Sequence, residues 1–215
     1  IFEMGSIPSK ETVLKASPTS DQPQAPFAPA PIEQVVATIK AEKPAMVFAP
    51  HVETASGIIL PDDYLKQVAD AVHSVGGLFV LDCIASGTIW VDMKAIGVDV
   101  LISAPQKGWS SSPCSALVML SEAADQRLHE TTSTSFACDL RKWRDIMIAY
   151  ENGGHAYHAT MPTDALRGFR DTMLETMKEG LTAVKERQWK LGTAVRDLMA
   201  KHGFASVAAP GFEAP

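Results

Sequence analysis

Two predicted strands of this chain each lead into side chains that could take part in covalent chemistry. Residues 78–81 are apolar and run into Asp82, and residues 99–103 are followed by Gln106 and Lys107. A continuously apolar strand is typical of a parallel sheet covered on both faces, and such sheets bind ligands at the carboxyl ends of their strands. A carboxylate and an amine on neighbouring strand ends suit a pyridine-type aldehyde cofactor. The carboxylate would keep the ring nitrogen protonated, and the amine would form a Schiff base with the aldehyde.

Asp82 and Lys107 also have ordinary structural explanations. Most lysines are solvated surface residues, and an acid at a strand end often caps the next helix. The two side chains could simply pair with each other in a non-catalytic α/β binding module. Small neighbours of Lys107, at 104–105 and at Gly108, instead predict partial burial, which favours the neutral amine that a nucleophile needs. We likewise expect Asp82 to be buried and to need a cationic partner, such as a protonated ring nitrogen.

Two further polar segments could contribute to the same site. His51, Glu53, Thr54 and Ser56 follow the preceding predicted strand. They place an imidazole and hydroxyls near one rim, where they could contact a ring hydroxyl or stack on the ring. The segment 157–160 precedes a predicted helix, and its hydroxyls together with the helix N-terminus could bind a phosphate. A plain helix cap is the competing explanation for that segment.

Composition excludes several classes of partner. The formal net charge of −6 argues against nucleic acid, because phosphate-binding surfaces usually carry a basic excess. No apolar run approaches the ~20 residues needed to cross a bilayer, so no membrane partner is expected. Cys83, Cys114 and Cys138 are odd in number and far apart, which predicts free thiols in a reducing, cytoplasmic compartment. We expect no metal site.

The pattern of elements predicts an α/β fold. Strands and helices alternate over residues 45–120, as in βαβ units with a parallel sheet. The proline-rich segment 18–31 predicts an extended surface loop. A helix is predicted over 139–150, then one long helix from Thr163 to Lys201 with apolar residues at helical spacing, and a strand over 204–207.

Four motifs in succession give the chain a family resemblance. They are residues 51–57 (His-Val-Glu-Thr-Ala-Ser-Gly), 81–82 (Leu-Asp), 103–107 (Ser-Ala-Pro-Gln-Lys) and 157–162 (Tyr-His-Ala-Thr-Met-Pro). In this order they resemble the class V aminotransferases, which are fold-type I enzymes dependent on pyridoxal 5'-phosphate. The alanine–glyoxylate and serine–glyoxylate (serine–pyruvate) branch is the most similar. The resemblance implies a mainly parallel sheet in a partial large domain, and a long helix leading into a small C-terminal domain.

The resemblance also implies roles for individual residues. Lys107 would be the Schiff-base lysine, Asp82 would bind the pyridine nitrogen, Thr54 the phenolic oxygen, and Gln106 the phosphate. The implied reaction transfers an amino group from alanine or serine to glyoxylate or pyruvate. Gln before the lysine favours this branch, since relatives acting on aminoethylphosphonate tend to carry Asn there and cysteine desulfurases His. A lyase or desulfurase remains the alternative, with Cys138 as its candidate mobile cysteine.

The same resemblance implies a composite site and a division into domains. Tyr157 and Thr160 would bind the phosphate of the neighbouring subunit's cofactor, which implies a homodimer. Residues 1–150 would be part of the large cofactor-binding domain, 151–202 the dimer and phosphate motif with a bridging helix, and 203–215 the start of the small domain. A Gly-rich phosphate loop and a ring-stacking aromatic would lie before Ile1, and a substrate-carboxylate arginine beyond Pro215. We therefore expect the chain alone to be poorly active.

Overall fold

A four-stranded sheet forms the centre of the computed structural model, which describes residues 10–215. The strands are β1 (Ser17–Pro18), β2 (Phe27–Ala28), β3 (Met46–Pro50), β4 (Val52–Glu53), β5 (Ile58–Ile59), β6 (Leu78–Asp82), β7 (Val100–Ser103) and β8 (Leu117–Leu120). The central sheet has the order β3-β6-β7-β8, in which β3, β6 and β7 are parallel. The predicted α/β fold with a mainly parallel sheet is therefore confirmed.

One strand departs from the parallel arrangement. β8 pairs with β7 antiparallel, whereas the alternation of elements predicted a parallel sheet as far as residue 120. A parallel connection needs a crossover, which is usually a helix. Residues 104–116 contain turns and no helix, so the chain reverses and β8 forms an antiparallel edge.

Helices cover the sheet and follow it. They are α1 (Ile32–Glu42), α2 (Asp62–Ser74), α3 (Met93–Ile96), α4 (Glu122–Glu130), α5 (Leu140–Glu151), α6 (Thr163–Glu179) and α7 (Leu181–Lys201), with a 3₁₀ turn at Ile84–Ser86. Several begin at a side-chain cap: Asp92, Ser121 and Asp139 accept backbone N–H bonds at the starts of α3, α4 and α5. Within residues 10–215, no helix combines the length and apolar character that crossing a bilayer requires.

The main core lies between the sheet and the helices α1 and α2. Phe79 and Leu81 of β6 are fully buried, together with Leu65 and Val72 of α2, and Ile39 of α1 belongs to the same cluster. Burial of such side chains stabilises a fold by roughly 1.5–3 kcal/mol each. These contacts hold β6 rigidly up to Asp82, the first residue of the strand whose side chain is exposed.

The helical run predicted from Thr163 to Lys201 is interrupted, so the prediction of one long helix is wrong. Gly180 ends α6 with a φ of 97° and a ψ of 129°, a conformation that glycine adopts readily. The change of direction brings α7 against the loop that follows β6. There, the Lys185 ammonium donates a hydrogen bond of 3.0 Å to the Trp90 carbonyl.

The end of the chain also differs from expectation. No strand forms over 204–207. Instead, Phe27 N donates to the Val207 carbonyl at 2.7 Å, and Ala209 N donates to the Phe27 carbonyl at 2.8 Å. The predicted loop 18–31 is partly ordered by the short antiparallel pair β1–β2. These hydrogen bonds join backbone groups of segments that are distant in the sequence, and the local sequence does not indicate such pairing.

Candidate active site

An open cleft of about 240 Å³ lies at the carboxyl ends of β3 and β6. Its polar lining is Glu53, Thr54, Asp82 and Lys107, and its apolar lining is Pro50, Val52, Ile84 and Ala85. Three of the predicted site residues, Thr54, Asp82 and Lys107, therefore share one space. A cavity of about 150 Å³ is large enough for benzene. The cleft has room for a substituted six-membered ring.

Asp82 ends the buried strand β6, but its own side chain is exposed. The prediction that it would be buried is wrong, because the strand leaves the core one residue earlier. Its Oδ1 accepts a hydrogen bond of 2.9 Å from Ile84 N, which is the capping role considered for it. Oδ2 has no hydrogen-bond partner among residues 10–215. One carboxylate oxygen thus orders the turn, and the other remains available to a ligand.

Lys107 sits in a tight turn after β7, and its side chain is exposed toward the cleft. The predicted partial burial is therefore wrong, because its small neighbours leave the side chain open to solvent. The Lys107 carbonyl accepts from Ser110 N at 3.0 Å, and the Pro105 carbonyl accepts from Ser111 N at 3.0 Å. None of the ion pairs in the described part of the chain joins Lys107 to Asp82.

The two loops that carry Asp82 and Lys107 touch through glycines. A Cβ atom at Gly108 would overlap the carbonyl group of Gly87, and it would lie 3.2 Å from Thr88 N. Only a residue without a side chain allows this approach. The close contact fixes the separation between the backbones of the loop after β6 and the loop after β7, which carry the carboxylate and the amine.

Glu53 holds the loop that presents Thr54. One carboxylate oxygen of Glu53 accepts from Ala55 N at 2.9 Å, and the other accepts from the N–H and the hydroxyl of Ser56 at 2.7 and 2.6 Å. The hydrogen bond from the Ser56 hydroxyl, with those from the backbone, lowers the pKa of Glu53. Glu53 is thus occupied within its own loop, while the Thr54 hydroxyl has no hydrogen-bond partner among residues 10–215.

His51 lies beneath the cleft and does not line it. Its side chain is buried, with Nδ1 2.8 Å from the Ser86 hydroxyl oxygen, so the predicted stacking on a ligand ring is wrong. Its backbone N–H donates to the Asp82 carbonyl at 2.8 Å, and its carbonyl accepts from Leu60 N at 2.9 Å. Burial lowers the pKa of His51 to about 4, so the ring is neutral at pH 7. It joins the ends of β3 and β6.

A family model described as Aminotransferase class-V matches residues 26–211, which is most of the chain. The chain belongs to this family. Among curated relatives, it is 27% identical to an alanine–glyoxylate aminotransferase of Felis catus over 164 residues, covering 74% of this chain and 37% of that protein. It is 28% identical to a 2-aminoethylphosphonate–pyruvate transaminase of Syntrophobacter fumaroxidans over 142 residues, covering 65% and 36%.

Solved structures support the fold assignment. The crystal structure of an alanine–glyoxylate aminotransferase from Nostoc sp. aligns with a TM-score of 0.77 at 23% identity, and covers 86% of this chain and 48% of that one. At this identity the likeness shows the fold alone. The chain spans less than half the length of these relatives. The predicted fold-type I architecture of the class V family is confirmed.

Three other predicted residues of this class V chain lie outside the cleft lining. Gln106 is exposed beside Lys107. The hydroxyls of Tyr157 and Thr160 are 3.1 Å apart, and the Tyr157 side chain is exposed. The intervening His158 is held by the Phe136 carbonyl, which lies 2.8 Å from Nε2. The segment is therefore ordered, but its hydroxyls do not meet the amine of the same chain.

Sequence reasoning missed the residues that support the cleft from behind. Ser86 bonds the buried His51, and Gly108 leaves room for the carbonyl group of Gly87. The only signal in the sequence was a glycine in each of the two loops that follow β6 and β7, and this signal is weak. Residues 10–215 contain no group of three or more His, Cys, Asp or Glu side chains that could hold a metal ion.

Proposed function

We propose that the protein is a pyridoxal-phosphate-dependent aminotransferase that moves the amino group of alanine or serine to glyoxylate or pyruvate. One observation carries the proposal. The Thr54 hydroxyl, Asp82 Oδ2 and the Lys107 amine surround one cleft, and none of them has a hydrogen-bond or ion-pair partner among residues 10–215. Family membership and relatives named alanine–glyoxylate aminotransferase support the choice of reaction.

The groups around the cleft fit this cofactor by their chemistry. Lys107 would hold the aldehyde carbon, Asp82 the ring nitrogen and Thr54 the phenolic oxygen, while Gln106 would reach the phosphate. When bound, pyridoxal phosphate supplies an electron sink for the negative charge left by a departing α-proton. A carboxylate opposite the ring nitrogen favours the protonated ring that this role needs.

The chain's own residues orient the reactants and move a proton. The Lys107 nitrogen would act as the base that takes the α-proton of the substrate, and would hold that proton as an ammonium. The turn and the Gly87–Gly108 contact hold the backbone of Lys107 at a fixed place relative to the Asp82 loop. Glu53 fixes the loop of Thr54 through three hydrogen bonds. Preorganised groups of this kind accelerate reactions because no reorganisation is needed.

Two alternatives are less well supported. A cysteine desulfurase needs a mobile cysteine, but Cys138 precedes α5, its backbone N–H donates to the Ser135 hydroxyl at 3.0 Å, and it does not line the cleft. A non-catalytic module would pair Asp82 with Lys107. No such ion pair occurs between these two described residues, which leaves both charges free for a ligand.

The positions of Tyr157 and Thr160 support a homodimer with composite sites. Both hydroxyls are exposed and outside the cleft of their own chain, as expected if they serve a neighbouring subunit. Co-expression of Lys107→Ala and Thr160→Ala chains tests this. If the sites are composite, a mixed dimer contains one site with both functional residues, and activity recovers. If both residues serve one chain, the mixture stays inactive.

The proposed reaction is tested with the purified full-length protein and added cofactor. The protein should bind pyridoxal phosphate with visible absorbance, and borohydride should fix it to Lys107, located by mass spectrometry. Lys107→Ala should lose the attachment, whereas Lys94→Ala, at an exposed lysine of α3, should keep it. Alanine with glyoxylate should give pyruvate and glycine. Failure to bind the cofactor contradicts the proposal, and faster turnover of aminoethylphosphonate with pyruvate contradicts the choice of substrates.

A further inference from the structure

Trp109 lies two residues after Lys107, at the centre of three stacked aromatic rings. Its ring centroid is 4.6 Å from that of Trp90, with 38° between the planes, and 6.0 Å from that of Phe169 in an edge-on arrangement. Phe169 is buried, and both tryptophans are partly buried. Tilted and edge-on aromatic pairs at these distances attract each other beyond their burial. The stack therefore resists displacement of the Trp109 backbone.

The backbone around Trp109 needs such support. Ser110 adopts a positive φ of 55°, which is unfavourable for a residue with a side chain and persists only where surrounding contacts enforce it. Its N–H also closes the turn on the Lys107 carbonyl at 3.0 Å. Lys107 and Trp109 thus belong to one strained turn, with the amine toward the cleft and the indole in the stack. Movement of the indole would move the amine.

The outer rings of the stack belong to elements that carry other parts of the site. Trp90 lies in the loop that follows Asp82, and the Lys185 ammonium on α7 donates to its carbonyl at 3.0 Å. Phe169 lies in α6, which begins shortly after Thr160. The stack consequently connects the Lys107 turn to the carboxylate loop on one side, and to the helix after the 157–160 segment on the other.

We propose that Trp109 is a positioning residue, which sets the place of the Lys107 amine through the Trp90–Trp109–Phe169 stack. This inference rests on the proposed function, since Lys107 must be the residue that attaches the cofactor. Trp109 does not line the cleft and would not touch the cofactor. Its loss should leave pyridoxal phosphate binding largely intact, but should lower the rate at which the bound cofactor becomes covalently attached.

Three variants of the protein test this proposal: Trp109→Leu removes the aromatic ring, Trp109→Phe keeps one, and Trp189→Leu is the control on α7 outside the stack. Total bound pyridoxal phosphate is measured by ultrafiltration, and attached cofactor by borohydride reduction and mass spectrometry. A displacement of about 1 Å in a reacting group can cost about a hundredfold. We expect Trp109→Leu to lower the initial rate of attachment, per bound cofactor, at least about tenfold. Trp109→Phe should stay within about threefold, and the control should be unchanged.

Two outcomes distinguish this inference from the proposed function. If the unchanged protein attaches cofactor at Lys107 and Trp109→Leu attaches it at the same rate per bound cofactor, the positioning role is refuted while the proposed function stands. If the unchanged protein attaches none, the proposed function fails first. If circular dichroism shows that Trp109→Leu does not fold, Phe169→Leu replaces it in the experiment. A several-fold lower rate then supports the role, and an unchanged rate overturns it.

Discussion

Acidification should destabilise the protein through His51. In the folded chain, burial lowers the pKa of the ring from 6.5 to about 4, with the charge of Lys185 acting in the same direction and Asp62 opposing it. The unfolded chain binds the proton near pH 6.5, so it holds more protons than the folded chain between pH 6.5 and 4. Stability from the neutral ring is therefore fully present above pH 6.5 and is lost as the pH falls toward 4.

The size of the effect follows from the two pKa values. At 1.36 kcal/mol per pKa unit, a difference between 6.5 and about 4 corresponds to about 3 kcal/mol lost below pH 4. About 2 kcal/mol of this loss should be present at pH 5. Because domains are stable by only about 5–15 kcal/mol, the change is large enough to measure.

Urea unfolding at pH 7 and pH 5 measures the effect, with His51→Asn as the matched control. The Asn amide occupies nearly the place of Nδ1 and can bond the Ser86 hydroxyl, but it does not titrate. Carboxylates titrate in both proteins, so their contribution cancels in the comparison. The unchanged protein should lose about 2 kcal/mol more than His51→Asn between these pH values. Equal losses in the two proteins would refute the reasoning, since His51 would then titrate alike in both states.

Three further substitutions separate the contacts that support the cleft. Gly108→Ala should lower the free energy of unfolding by about 1–3 kcal/mol and reduce cofactor attachment, because its methyl group would overlap the Gly87 carbonyl. The control Gly168→Ala, at a position of α6 with open space, should be neutral or slightly stabilising in the same urea titration. Equal effects of the two substitutions would contradict this prediction. Glu53→Gln should weaken cofactor binding several-fold, because the amide N–H of Gln would face the N–H donors of its own loop. An unchanged affinity for the cofactor, measured by absorbance titration, would contradict this prediction. Asp99→Ala should lower the free energy of unfolding in urea by about 3 kcal/mol, because three donors lose a buried acceptor. The folded variant should still attach cofactor normally. Loss of cofactor attachment would show that the effect reaches the cleft.

The sequence was sufficient to predict where the cleft forms. A parallel sheet brings the carboxyl ends of neighbouring strands to one edge, so Asp82 and Lys107 could be expected to lie close together without coordinates. Thr54 followed from the same rule, since it comes after β3. These predictions depend only on strand order and direction, which apolar patterning indicates well.

Burial and backbone direction were not predictable in the same way. Asp82 and Lys107 are exposed and His51 is buried, the reverse of what their local sequences suggested. Burial depends on which distant segment covers a residue, and the buried ring of His51 lies against Ser86, which is 35 residues away in the sequence. The end of α6 was also not predictable from local sequence. A glycine such as Gly180 within a helical pattern costs only about 1 kcal/mol of helix stability, so tertiary contacts decide whether the helix continues.

The hydrogen bonding around the cleft is divided between two groups of residues. Asp82 Oδ2 and the Lys107 amine make no side-chain bonds among residues 10–215, whereas both carboxylate oxygens of Glu53 and Nδ1 of the buried His51 are already bonded. A group already bonded within the protein would have to break that bond to hold a ligand, and the lost bond would reduce the affinity. A free group avoids this loss, but it needs another means of staying in place. Backbone turns, the glycine contact and the bonds of Glu53 and His51 provide it, so positioning and binding fall to different side chains.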